Sequence, residues 1–153
     1  MTIHHSSGPT LTIDERDIEL DDRLTEELIA FNTAATGVSD RGTFSAKVTD
    51  EAGELVAGLT AWTWGTLCGI ELLWVRDDSR KDGWGSTILR AAETEAQRRG
   101  CDRVAVSTFT FQAPGFYQRH GYVETGRIPG IPGGHADVHL LKSLTGSAPS
   151  RQF

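Results

Sequence analysis

The sequence predicts an α/β (α+β) fold: a mixed, mostly antiparallel central sheet of about six or seven strands flanked by three or four helices. Three observations predict it. Several short segments alternate apolar and polar residues and are separated by Gly- or Asp-bearing turns, which favours antiparallel neighbours. One stretch, Ile70 to Phe109, instead reads strand, loop, helix, strand, and such a crossover makes a parallel pair. Finally, 153 residues with 38% hydrophobic and 24% charged side chains suit one domain around one sizeable core.

Each element follows from its own pattern. Thr10 to Asp14 alternates weakly through Leu11 and Ile13 and reads as a first strand. Leu20, Leu24, Leu28, Ile29 and Phe31 recur at helical spacing behind early acids, so 21–35 reads as an amphipathic helix. Phe44, Ala46 and Val48 mark a half-buried strand, and Asp50 to Glu54, with Gly53, a hairpin turn. Leu55 to Trp64 is a long strand whose alternation places Leu55, Ala57, Leu59 and Ala61 on one face and Val56, Trp62 and Trp64 on the other. Gly65 to Gly69 turns into an apolar strand ending at Val75, along which Glu71, Leu73 and Val75 are expected to share a face. A polar loop leads to a helix with Ile88, Leu89, Ala92 and Ala96 on one side, stopped at Gly100. Arg103 to Phe109 is a strand; Pro114 to His120 is a short helix ending at Gly121. Strands near 122–128 and 136–142 are joined by the Pro/Gly stretch Pro129 to Gly134. Residues 1–9 read as a flexible terminus, where the His4–His5 pair is a feature of a loose end rather than a metal site. Residues 10–142 form the single domain, and 143–153 a loose tail.

A net charge of −6 and no basic run argue against a nucleic-acid surface. No apolar run reaches the roughly 20 residues that span a bilayer. Cys68 and Cys101 lack metal-ligand spacing, and no metal is expected. Without a signal peptide they read as buried free thiols in a cytoplasmic protein.

The chain's chemistry centres on the loop after Val75. A strand end, a loop with Gly83 and Gly85, and a helix start together present backbone N–H groups and a positive helix terminus to an anion. The dinucleotide pattern G-x-G-x-x-G fails because Ile88 stands at the third glycine, and the phosphate loop G-x-x-x-x-G-K-[ST] is absent. What remains is Arg80-Lys81-Asp82-Gly83-Trp84-Gly85, an R-x-x-G-x-G pattern; by itself it is equally a turn capping a helix. Beyond one helix and one strand lies Ala113-Pro-Gly-Phe116-Tyr117-Gln-Arg-His-Gly121-Tyr122. The two motifs together, in this order, resemble the acyl-CoA loop and the second signature of the GNAT superfamily of N-acyltransferases, over about Thr10 to Lys142.

That resemblance implies a GNAT-like sheet whose parallel pair borders an acyl-CoA cleft, and an acetyl-CoA-dependent N-acetyltransferase. The acceptor is a small-molecule primary amine or, alternatively, a protein lysine or N-terminus; a non-catalytic acyl-CoA-binding module is the competing class. It further implies that Val75 offers backbone groups to the pantetheine arm. Arg80, Lys81, Asp82, Gly83, Trp84, Gly85 and Ser86 would surround the pyrophosphate, with Asp82 pointing away or capping the helix and Trp84 either shielding adenine or packing on the helix. Thr110 stands where the family often has Asn. Tyr117 matches the general acid. An alkyl ammonium has a pKa of ~10.4, so a base is needed; Glu71 is the first candidate, with an arginine ion pair as its alternative, and His135 the second. His120 reads as a surface residue at a helix end. Asn32, Asp40 and Arg41 lie where family members contact the acceptor. Trp62, Trp64 and Trp74 make either an aromatic wall for a cationic amine or simple core. Family habit suggests a homodimer.

Overall fold

The computed structural model describes residues 1–4 and 8–144; His5 and the tail from 145 on lie outside the described residues. The chain divides into two compact units, 1–38 and 39–153.

In the first unit, β1 (Thr2–His4) pairs antiparallel with β2 (Thr10–Thr12) as a two-stranded sheet. Sequence patterning marks β2 but not β1. Helix α1 (Ile18–Thr36) starts on Asp17, whose carboxylate accepts the Leu20 N–H, and stops at Gly37 in the left-handed region, φ 70°. It starts three residues earlier than its apolar pattern suggests, because the Asp17 cap lies upstream of that pattern, and ends one residue later.

The second unit is a six-stranded sheet in the order β3-β4-β5-β6-β8-β7. Its strands are β3 (Arg41–Thr49), β4 (Leu55–Trp64), β5 (Leu67–Val75), β6 (Arg103–Phe109), β7 (Val123–Ile131) and β8 (His135–Ser143). All neighbours are antiparallel except β5 and β6. A 3-10 turn (Asp77–Asp82) leads into α2 (Trp84–Arg98), and α3 (Pro114–Arg119) follows β6. The α2 stripe Ile88, Leu89, Ala92 and Ala96 is buried on one sheet face with Ala57, Leu59, Ala61, Val104, Val138 and Leu140. Cys68 and Cys101 are free and buried in the same core.

Two irregularities overturn simple alternation. Val48 pairs with Ala57 but Thr49 with Leu55, so Val56 bulges between them. The bulge turns Val56 into the core at 5% exposure and leaves Leu55 at 44%, the reverse of the expected faces. In β5, Ile70 pairs with Ala61 and Leu72 with Thr60, so Glu71 is the extra residue. Leu73 and Val75 therefore lie against the core while Glu71 and Leu72 are both exposed; the expected shared face of Glu71, Leu73 and Val75 does not exist. The proline stretch also differs: Pro129 to Ile131 belong to β7, leaving a turn at 132–134. β7 is an edge strand, where a proline costs no ladder bond on its open side.

Candidate active site

The site is built where the sheet splits. β5 and β6 share only the pairs Leu67–Arg103 to Ile70–Val106; past them, from the Glu71 bulge, the strands part. The Arg76 N–H donates to Val56 O, so peptide groups alternate and those of Leu73 and Val75 face the open side. The Arg80 Nε donates to Val75 O at 3.1 Å, which agrees with that orientation. One arm of the opening thus presents strand backbone with no strand partner.

The expected phosphate loop stands at the mouth of this opening. Gly83 has φ 79°, and a Cβ there would meet nothing within 4 Å. No side chain caps α2, so Asp82 does not perform that role; the first helical bond is Thr87 N–H to Gly83 O. The N–H groups that open the helix are left for an external acceptor. Gly85 serves another purpose: its missing side chain makes room for Phe116, whose ring a Cβ would meet at 3.3 Å. Trp84 is partly buried and packs against the core cluster. Lys81 is exposed, whereas Arg80 is turned onto Val75 O and, through Nη1, onto Asp77 at 2.6 Å. The Ser86 hydroxyl is bonded to His120 Nε2 at 2.8 Å, so His120 belongs to the loop's support rather than to the free surface. Burial first, and then Arg90, hold the His120 pKa below its usual value.

Tyr117 sits on α3 with its ring in the core, edge-on to Phe116 and Tyr122 at 5.2 and 5.6 Å. Burial pushes its pKa up to about 12. Among the described residues the hydroxyl has no hydrogen-bond partner, and no fully buried side-chain oxygen lacks one. The ring is therefore enclosed while its oxygen reaches open space. Below it, Tyr122 donates to Glu93 at 2.7 Å, and Lys142 Nζ lies 3.0 Å from the same carboxylate. Desolvation first, and then the Glu93 carboxylate, raises the Tyr122 pKa.

The opposite sheet face carries a cleft of about 470 Å³ that includes Trp62, Glu71, Ser107, Thr125 and His139. Glu71 makes no hydrogen bond or ion pair with described residues, which removes its arginine alternative. Trp62 lies flat over Gly69, whose Cβ would fall 2.1 Å from the indole. Trp64 is covered by the Arg41 guanidinium, 3.9 Å from its ring, and Trp74 is 47% exposed on the same side. His135 and Thr110 lie together away from this cleft: Thr110 Oγ1 is 2.9 Å from His135 Nδ1 and accepts the Ala136 N–H. The Thr110 hydroxyl is thus engaged inside the sheet end. Asn32 belongs to α1 of the first unit, where its carbonyl accepts the Thr36 hydroxyl. The residue that sequence reasoning missed is His139, 3.2 Å from Asp137. Its signal was present as His135-x-Asp137-x-His139, one polar face of a strand whose other face is Ala136, Val138 and Leu140.

A split parallel pair, open backbone on one arm and an uncapped helix beside it define an acyl-carrier-dependent transferase. The Acetyltransferase (GNAT) family model matches residues 9–122, and the chain belongs to that family. It is 42% identical over 98 residues to the blasticidin-S acetyltransferase of Streptomyces morookaense, covering 61% of this chain and 70% of that one. It is 27% identical to an acetyltransferase of Agrobacterium fabrum, over 84% and 94% of the two chains. A solved acetyltransferase from Bacillus cereus superposes with a TM-score of 0.76 at 29% identity, over 87% of this chain and 97% of that structure. The protein is an N-acetyltransferase of the group that uses acetyl-CoA.

Proposed function

We propose that the chain acetylates a primary amine of a small cationic molecule, with blasticidin S the first acceptor to try. The observation that carries the reading is the cleft against the split strands: indole from Trp62 and carboxylate from Glu71, with no cation among the described residues neutralising that carboxylate. A small ammonium fits such a lining by charge and by the ring face. The 42% identity to an acetyltransferase of blasticidin S supports the acceptor class.

The residues present fit acetyl-CoA: open space at Gly83 and free N–H groups ahead of α2 would take the diphosphate, and the unpaired edge of Leu73 and Val75 the pantetheine amides. When bound, it supplies a thioester as acyl donor. Glu71 holds the acceptor ammonium by its charge, and that ammonium must give up a proton before its nitrogen can attack. Strand N–H groups at the opening polarise a carbonyl placed there. Tyr117, neutral because its pKa is near 12, keeps a proton to give to a leaving thiolate. Thiol release with a panel of amines, blasticidin S included, tests the reading. Turnover confined to small amines is expected; turnover only of peptide amines would overturn it.

A further inference from the structure

His139 and Asp137 have a place in this chemistry that Glu71 alone does not fill. Both project from β8 on the cleft side, opposite the buried Ala136, Val138 and Leu140. His139 is the Cα partner of Ser107, the first β6 residue past the split, and Glu71 is the first β5 residue past it. Glu71 and His139 therefore stand with one strand between them, about 10 Å or more apart between backbones because β5 and β6 part there, on either side of the same cleft. That gap suits one amine nitrogen reached by both side chains.

The pair is also oriented. Asp137 Oδ2 lies 3.2 Å from His139 Nε2, and two acceptors at that distance repel unless a proton lies between them. A neutral imidazole carrying its proton on that nitrogen would keep its lone pair on Nδ1, which has no hydrogen-bond partner among the described residues. Thr125 holds the strand at this point through a bond from its hydroxyl to His139 O. Asp137 is the more enclosed of the two side chains, at 25% against 47% exposure, as an orienting group under an imidazole should be. The charged groups facing His139 are Asp137 on its own strand and Glu71 on β5; β6 contributes Ser107 and β7 Thr125 at the cleft, neither titrating near neutrality. Further along β7, Arg127 is neutralised by Glu124 at 2.7 Å.

We propose that His139, oriented by Asp137, takes the proton from the acceptor ammonium, and that Glu71 across the cleft anchors its charge. The N–H bond of the ammonium breaks, its electron pair stays on nitrogen as the nucleophile, and the proton passes to His139 Nδ1 and then to solvent. This rests on the small-amine reading and assigns its base.

The test uses full-length wild type, His139→Gln, Asp137→Asn and Glu71→Gln with acetyl-CoA and the amine panel, across pH 5.5–9. His139→Gln is expected to lower kcat for the amine about 10²-fold, leave the acetyl-CoA KM unchanged and flatten the acidic limb of the profile. Asp137→Asn is expected to lose less, about tenfold, and to move that limb; Glu71→Gln is expected to raise the amine KM above all. His139→Gln within threefold of wild type at every pH would overturn the assignment. If no small amine turns over, the acceptor reading fails separately. The His139 imidazole resonances are then followed by NMR as CoA and blasticidin S are added. A shift at Nδ1 that Asp137→Asn abolishes sustains the site, and unmoved resonances sink it.

Discussion

At the scale of single residues, Tyr117, the acid of the proposed reaction, joins a buried ring to an accessible hydroxyl. Its ring is enclosed, its hydroxyl is not, and a pKa near 12 keeps the proton in place at any working pH. Tyr117→Phe is expected to lower kcat about 10²-fold without changing the acetyl-CoA KM, as steady-state kinetics would read. The same shift has a stability sign. The folded pKa lies above the unfolded 10.0, so stability is intact below pH 10 and is lost as pH rises towards 12. Urea unfolding from pH 8 to 12 should show that fall in wild type and a shallower one in Tyr117→Phe; equal slopes would mean that the phenol is not buried in solution. Gly83 gives a second residue-level prediction. Its positive φ strains any side chain, so Gly83→Ala is the strain control for Gly83→Glu. Only the glutamate should raise the acetyl-CoA KM by more than tenfold while both remain folded by circular dichroism. Tyr117 and Gly83 were legible because their motifs fix residue type at fixed offsets. His139 was passed over because its signal is an alternation within a strand, which a search for clusters and motifs does not weigh.

At the scale of elements, two bulges decide which side chains reach the site. Ideal alternation predicts Glu71 beside Leu73 and Val75; one extra residue sends it to the opposite face, with Leu72. No local composition announces such an insertion, since Thr60, Ala61, Ile70 and Leu72 are all ordinary strand residues. The bounds of β4 and β6 were by contrast readable to the residue, because their alternation is long and bounded by turn residues, although the Val56 bulge reversed the faces of Leu55 and Val56. The β4–β5 contact makes a prediction here. Gly69→Ala places a methyl group inside the Trp62 indole, so the ring must swing off the strand. Tryptophan fluorescence should change and the amine KM rise severalfold, with the acetyl-CoA KM unmoved. An unchanged amine KM would remove Trp62 from the acceptor wall.

At the scale of the whole unit, helices α2 and α3 join what the sheet divides. α2 packs across β3, β4 and β5, and meets α3 through Gly85 against Phe116 and Ser86 against His120. Glu93 then ties it to Lys142 on β8 and to Tyr122. Removing the carboxylate leaves a half-buried ammonium and a buried phenol without their acceptor. Glu93→Ala is expected to cost about 2–3 kcal/mol, lowering Tm by roughly 5–10 °C in calorimetry. A loss under 1 kcal/mol would show the triad to be incidental. The topology was legible because order and turn length limit the ways these strands can pair; the triad was not, since Glu93 and Lys142 read from sequence as two unremarkable charges.

The short β5–β6 ladder has a mechanical corollary. Since four paired positions act as a pivot and helix side chains act as struts, the gape between the two sheet halves is adjustable without touching the pivot. Trimming or enlarging a strut such as Phe116 should retune which guests are admitted while the scaffold stays the same, so selectivity in this architecture can drift through residues that never meet the guest.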